Sequence, residues 1–478
     1  MLSRCVAPRL RATAPAAARH ARSIWGATPE TSSDPLWMPM DISSPLPLFD
    51  GATPTKVTTL DNGLKVASAD LPTPAATVGL YVGTGSKYEA VGGSAHVLQH
   101  MAFKSTHGRS ELKMVRDCER LGASVACTAS RESIVYQVDT LSESVPEAVA
   151  MLAETAVAPK LLPWEIDSAM PSIAAEVTEL GMNHQALLQE LIHPAAYGAL
   201  APLGKPLHAK MGDLGAIDDA VLGDFIANEF VPSKMVLAAA GVDHEELVSL
   251  AKTYFGALPA SAPAAASADT YVGGENRVSA EEHMTHFALA FEGVGWESKE
   301  LVPLCVLNTM MGGGTSFSAG GPGKGMYTRL YQNILNRYPS VEAATVFNAF
   351  YAGTGLFGVY GAAPASSMGS LVAALVDELK KMRGPIADEE LSRAKNQLTS
   401  SLLMNLESRP VLFEDIGRQT LVYGHHIPPA ELVKQIGAVT AADLTAVATK
   451  MLKTPPSIAV YGDTTAVPRY DLVAKQFQ

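Results

Sequence analysis

Regular patterning begins at Lys56. Two short apolar runs, residues 57–60 and 64–69, flank Asp61-Asn-Gly63, a turn signal that predicts a β-hairpin. Val78, Leu80 and Val82 alternate with smaller residues, as in a strand with one face turned inward. After the turn-rich stretch 83–93, a helix is expected from Ser94. Helical periodicity then marks 111–121, strands are expected at 124–129 and 133–139, and a helix at 143–157. Residues 164–182 form an amphipathic helix that continues helically to about Ala196. The half ends with a helix over 218–230, a strand over 235–242 and a helix over 244–255.

The same order then returns. His286-Phe-Ala-Leu-Ala-Phe-Glu-Gly-Val-Gly-Trp296 repeats the pattern of Thr77-Val-Gly-Leu-Tyr-Val-Gly-Thr-Gly-Ser86, and a helix follows each, here 301–311. Further expectations are a helix over 326–336, strands over 341–349 and 355–361, and helices over 366–381 and 388–406. A late strand at 458–462 echoes 235–242. Two halves of like order imply a duplicated α+β architecture. The expected domains are 55–257 and 281–478, joined by a linker (258–280) whose start is rich in Ala, Pro and Ser, and preceded by an extended arm (23–54).

Composition adds the compartment. Residues 1–22 hold Arg4, Arg9, Arg11, Arg19 and Arg22, many alanines and no acid, the signature of a mitochondrial transit peptide. Its removal leaves 31 of the 36 basic residues against 48 acidic ones, a net charge of −17. Such a surface repels nucleic acid and favours basic partners, although solubility alone also explains it. An apolar content of 47% with 18% charged residues describes an ordered globular protein, and no apolar run is long enough to span a bilayer. Cys5, Cys118, Cys127 and Cys305 form neither a disulfide framework nor a Cys-x-x-Cys site, so reduced thiols are expected.

Two stretches carry candidate chemistry. His96-Val-Leu-Gln-His100 sets two imidazoles one turn apart on a helix face, the geometry by which metallopeptidases hold zinc. The inverted zinc motif is His-x-x-Glu-His, its glutamate acting as base on the metal-bound water. Here that position is Gln99, whose amide cannot take a proton. Glu176 is the candidate third ligand and Glu179 its supporting neighbour. The competing reading makes the histidines buried polar residues and Glu176 part of an ordinary network.

The second stretch runs from Gly312 to Gly325 and is half glycine, leading into Met326-Tyr-Thr-Arg-Leu-Tyr331. It is no phosphate loop, because Lys324 is followed by Gly325 rather than Ser or Thr, and the preceding segment reads as a helix rather than a strand. Phe317, Met326 and Tyr327 are unusual in a mere linker, so a surface binding loop is expected.

These residues resemble the pitrilysin-type inverted-zinc peptidases, and within them the mitochondrial processing peptidases of the α type. The glycine segment carries the resemblance, with Ala102-Phe-Lys-Ser-Thr106, Ala129-Ser-Arg-Glu132 and residues 348–361. The resemblance implies two homologous α/β-sandwich domains forming half of a clam-shaped heterodimer. It implies a β-type partner that holds the zinc and cuts, so no cofactor is expected in this chain and no catalytic residue is assigned. His96, His100 and Glu176 would be a vestigial metal site. Gly312, Gly313, Gly314, Ser316, Phe317, Ser318, Gly320, Gly321, Gly323, Lys324 and Gly325 would contact Arg-rich presequences. Acidic residues around Asp377-Glu378 and Asp388-Glu-Glu390 have the sign to meet those arginines, though a solvated helix face accounts for them more simply. In some lineages such subunits are also matrix-facing core subunits of ubiquinol–cytochrome c reductase, peripheral on the inner membrane and in contact with its other subunits. A purely structural core role is the alternative; an independent zinc peptidase is opposed by Gln99.

Overall fold

The computed structural model describes residues 54–260, 269–315 and 325–477. In the first half, β1 (Lys56–Thr59) and β2 (Lys65–Ala69) form the expected hairpin around Asn62, whose side chain accepts from the Leu64 N–H. The remaining elements are β3 (Ala75–Val82), α1 (Ser94–His100), α2 (Glu111–Leu121), β4 (Ser124–Ala129), β5 (Ile134–Leu141), α3 (Val145–Val157), α4 (Pro163–Met182), α5 (His184–Tyr197), α6 (Asp219–Glu229), β6 (Met235–Ala240) and α7 (His244–Phe255). The six strands form one sheet in the order β1-β2-β6-β3-β5-β4.

The second half contains β7 (Gly274–Ser279), β8 (Thr285–Glu292), α8 (Leu301–Met311), β9 (Gly313–Thr315), β10 (Ala343–Phe350), β11 (Gly355–Ala363), α9 (Met368–Lys381), α10 (Asp388–Leu406), α11 (Arg409–Tyr423), α12 (Pro429–Ala438), α13 (Ala441–Met451), β12 (Ser457–Gly462) and α14 (Tyr470–Ala474). Its sheet runs β7-β12-β8-β11-β10-β9. β2 pairs in parallel with β6, as β7 does with β12, and the strands beyond each pair run antiparallel. The repeat inferred from the sequence is thus a repeat of topology.

Three details differ from the sequence expectations. β7 lies within the stretch 258–280, where Glu275, Arg277 and Ser279 alternate in an edge strand beside β12. The glycine segment does not begin as a loop, because β9 is an edge strand paired with β10. Glycine suits that edge, since a Cβ on Gly313 would lie 2.2 Å from the Ala344 carbonyl oxygen. The helix expected over 326–336 is replaced by a turn at Gly325–Thr328 and a single π-helical turn, Tyr331–Leu335.

One face of each sheet packs on its own half's helices. Leu64, Val66, Val78, Leu80, Ile134 and Val138 meet Met151, Leu152, Leu247 and Phe255 in the first core. Phe287, Leu289, Phe291, Phe357 and Val359 do the same with Leu371, Leu375 and Leu379 in the second. The opposite faces are covered by exchange. Phe413 and Ile416 of α11 pack on Ala67, Ala69, Tyr81, Val236 and Ala238 of the first sheet. Leu188, Ile192, Ala196 and Tyr197 of α5 pack on Ala288, Ala290, Ala459 and Tyr360 of the second. Alanines on both receiving faces let the helices approach closely. A Cβ on Gly79 would lie 2.4 Å from Phe413 Cζ, and one on Gly417 would lie 2.1 Å from the Tyr81 ring.

Candidate functional site

The site is built on α1, which is only seven residues long and starts at Gly93 in the left-handed region. No side chain at its N-cap position closes the first turn. Glu89 does so from the preceding loop, accepting from the Gly93 N–H at 2.8 Å and the Ala95 N–H at 3.0 Å. A carboxylate suits a helix N-terminus, but this one is 1% exposed. Burial outweighs the helix amides and Lys205 and raises its pKa to about 7. Between the ordinary value and pH 7 the folded chain retains a proton that the unfolded chain has lost. Stability from this group is therefore present at low pH and lost as pH rises through about 7. Glu89→Gln is expected to flatten the fall in denaturant midpoint between pH 5 and pH 7.5. An unchanged pH slope would show that Glu89 titrates normally.

From α1, His96 and His100 turn toward Glu176 of α4, as the helical spacing predicts. Glu165 and Glu176 lie about three turns apart on one side of α4. Glu165 takes the Ser105 N–H at 3.2 Å and the Ser105 hydroxyl at 2.5 Å, while Glu176 Oε2 is 2.8 Å from His100 Nε2. The two carboxylates thus pin α4 against α1 and the segment that follows it. Glu176 is partly buried, which alone would raise its pKa, but the His96 and His100 imidazoles together hold it below the ordinary value. Burial pushes the His96 pKa down, favouring the neutral ring. Glu179 is exposed.

His96, His100 and Glu176 place one possible ligand atom each within 4.8 Å of one another, a spacing compatible with a metal ion. The ring chemistry of His96 is not compatible. Its Nδ1 accepts a hydrogen bond from the Ala209 N–H at 3.2 Å. A neutral imidazole has one ring lone pair, so the proton sits on Nε2, the atom that faces Glu176 Oε2 at 3.5 Å. A metal-binding histidine uses its second nitrogen as a donor, to a carboxylate or carbonyl. His96 does the reverse, and its Nε2 presents hydrogen instead of a lone pair. As arranged, Glu176 bonds His100 while His96 Nε2 makes no hydrogen bond, and with its proton on Nε2 the trio does not fit zinc.

Gln99 is engaged elsewhere. Its side-chain oxygen accepts from the Ala129 N–H at 2.8 Å, tying α1 to the end of β4. Neither its chemistry nor its direction suits a general base. Sequence reasoning missed two neighbours. His208 stacks edge-on against His96 with ring centroids 5.2 Å apart, and Ala209 supplies the deciding amide. Both lie in an irregular segment with no periodicity to mark them.

The described ends of the glycine segment form a second locus. Gly312, Gly313 and Gly325 are described with left-handed φ values of 55°, 114° and 75°. Gly314 completes the start, and Ser316, Phe317, Ser318, Gly320, Gly321, Gly323 and Lys324 lie outside the described residues. Thr328 joins the two ends: its hydroxyl donates to the Gly325 carbonyl at 2.7 Å and accepts from the Gly313 N–H at 3.2 Å. Beyond the neck, Met326 and Tyr327 are exposed, with the Arg393 guanidinium over the Tyr327 ring. Of the five acidic residues nearby, four are already paired and Asp388 is exposed. Glu390 holds Arg329 through two bonds of 2.6 and 2.9 Å, and buried Glu378 takes Lys381 and Asn333. Asp377 bonds Lys381 at 2.6 Å, and Glu389 lies 3.3 Å from Arg393.

Comparison with known proteins places this geometry. Residues 65–209 match the insulinase (peptidase family M16) model, and residues 216–398 match the peptidase M16 inactive domain. The mitochondrial-processing peptidase subunit alpha of Solanum tuberosum is 44% identical, over 94% of this chain and 91% of the relative. That of Bos taurus is 38% identical, over 90% of this chain and 88% of the relative. A probable alpha-1 subunit of Arabidopsis thaliana is 41% identical, over 92% and 89% respectively. With two M16 domains and a helix-borne histidine pair that lacks its glutamate, the chain belongs to the M16 peptidase family.

Proposed function

We propose that the chain is the non-catalytic, substrate-recognising α subunit of a mitochondrial processing peptidase, acting with a β-type subunit that carries the zinc and cuts the presequence. One observation carries the non-catalytic part: Gln99 occupies the position of the general base, and its amide is bonded to the Ala129 N–H. The similarity to alpha subunits over some nine-tenths of the chain supports the assignment to that side of the heterodimer.

Substrate recognition falls to the glycine segment and the exposed Met326 and Tyr327 beside it. Presequences are arginine-rich and amphipathic, so an acidic chain steers them and the apolar edge at Met326 and Tyr327 meets their other face. The chain acts in the matrix, peripheral to the inner membrane, and no described helix is long and apolar enough to cross a membrane. The proposal extends to a place among the matrix-facing core subunits of ubiquinol–cytochrome c reductase. Co-purification of cytochrome subunits tests it, and their absence at all detergent strengths rejects that extension.

Cleavage of a fluorescent presequence peptide tests the main reading. The chain alone is expected to be inactive and the chain with a β-type subunit active. Chelator-sensitive cleavage by the chain alone would overturn the reading. Silence of both preparations would favour the purely structural core role.

A further inference from the structure

We infer that residues 205–209 form a strap built into the fold and that His96 is its anchor, working through Nδ1 as a hydrogen-bond acceptor where a metal-binding histidine works through Nε2. The two histidines of the helix motif thus hold different things. His100 holds the Glu176 carboxylate, and His96 holds a piece of backbone.

The strap is irregular, yet every second residue is tied down. The Lys205 ammonium donates to the Glu89 carbonyl at 2.7 Å and the Lys87 carbonyl at 3.4 Å, both in the loop that leads into α1. The Leu207 N–H donates to Glu190 Oε2 of α5 at 2.8 Å, and the other oxygen of that carboxylate takes Arg131 at 3.0 Å. The Ala209 N–H donates to His96 Nδ1 at 3.2 Å. Between these last two anchors, the His208 ring stands edge-on to His96 and 3.8 Å from Glu190. Five residues thereby join α5 to α1 and to the loop before it.

The anchor lies out of water, since Ala209 is 2% exposed and His96 3%. Close approach depends on the glycine at which α1 begins: a Cβ on Gly93 would lie 2.4 Å from Ala209 Cβ. In such surroundings an amide without an acceptor is costly, and His96 Nδ1 supplies one. The same bond settles the ring. With Nδ1 accepting, the proton stays on Nε2, which makes no hydrogen bond of its own. One bond therefore ties the strap to α1 and withholds from a metal the lone pair that His96 would offer.

Two substitutions separate the ring nitrogens, because an asparagine amide reaches the place of Nδ1 and a glutamine amide that of Nε2. Hydrogen exchange of the full chain reads the strap through the amides of residues 207–209. His96→Asn is expected to keep their protection within about threefold of wild type, and His96→Gln to speed their exchange about tenfold, as loss of one hydrogen bond predicts. Neither variant, nor the wild type, is expected to retain zinc after equilibrium dialysis. The reverse order, with protection kept by His96→Gln and lost in His96→Asn, would place the work at Nε2 and overturn the inference. Equal effects in the two folded variants overturn it as well, as does one zinc per wild-type chain. If either variant fails to fold, the wild-type chain decides. With histidine labelled with heavy nitrogen, long-range proton–nitrogen spectra are expected to show the His96 proton on Nε2; a proton on Nδ1 sinks the inference.

Discussion

Restoring the glutamate does not restore the enzyme. Gln99→Glu is expected to leave the chain, assayed alone, without measurable presequence cleavage and without stoichiometric zinc. A general base contributes roughly 10²- to 10⁴-fold to such a reaction, so a single missing carboxylate would be a repairable loss if the rest of the site were intact. It is not intact. The Ala209 N–H occupies the Nδ1 lone pair of His96, so the ring directs an N–H toward Glu176. Coordination through Nε2 would require breaking that bond and moving the proton. The new carboxylate would also meet an old partner: the Ala129 N–H already holds the side-chain oxygen at position 99 and would hold a glutamate oxygen more strongly. Metal analysis of the purified variant, together with peptide cleavage with and without chelator, checks the expectation. One zinc per chain with chelator-sensitive cleavage would show that the amide at Ala209 yields.

The second large effect concerns stability. Phe413→Ala is expected to destabilise the chain by about 3–5 kcal/mol, read as a lowered urea midpoint. Phe413 is fully buried, yet it belongs to the second half and packs on the sheet of the first, 5.4 Å from the Tyr81 ring between centroids. Its pocket cannot collapse easily, since Gly79 and the alanines of β2 and β6 have little side chain to move into the space. The loss should therefore appear in the first sheet: hydrogen exchange of the β3 and β6 amides should speed up more than that of β11. Equal protection of both sheets would mean that α11 contributes little to the first.

Much of the architecture was legible before any coordinates. The period-two runs of 77–82 and 286–291 and the helix-period runs after them located β3, β8, α1 and α8, because each buries one face within its own half. The histidine pair was legible from helical spacing and Glu176 from its place downstream, where such enzymes set their third ligand, and the structure brings all three together. What decides their chemistry was not legible. The Ala209 amide is a backbone group, and backbone groups carry no sequence signal of their own. The neck at Thr328 escaped too, because Met326 to Tyr331 has helical composition while the hydroxyl of Thr328 is engaged fifteen residues upstream. The exchange of α5 and α11 was hidden for a different reason. An amphipathic helix reveals that it has a buried face, but not which sheet receives it.

That exchange also sets an order in time. A chain that emerges from the N-terminus completes β1 to β6 long before α11 exists, since Arg409 reaches Thr77 across 332 residues. Some 168 residues lie between the end of β6 at Ala240 and the start of α11 at Arg409, a delay on the order of 10 to 30 s at ordinary synthesis rates. Throughout it, the face formed by Ala67, Tyr81, Val236 and Ala238 stands uncovered, an apolar sheet surface of the kind that chaperones hold and that self-associates when they do not. The first half is thus obliged to wait for the second, and the interval between them is where this chain is most vulnerable to aggregation.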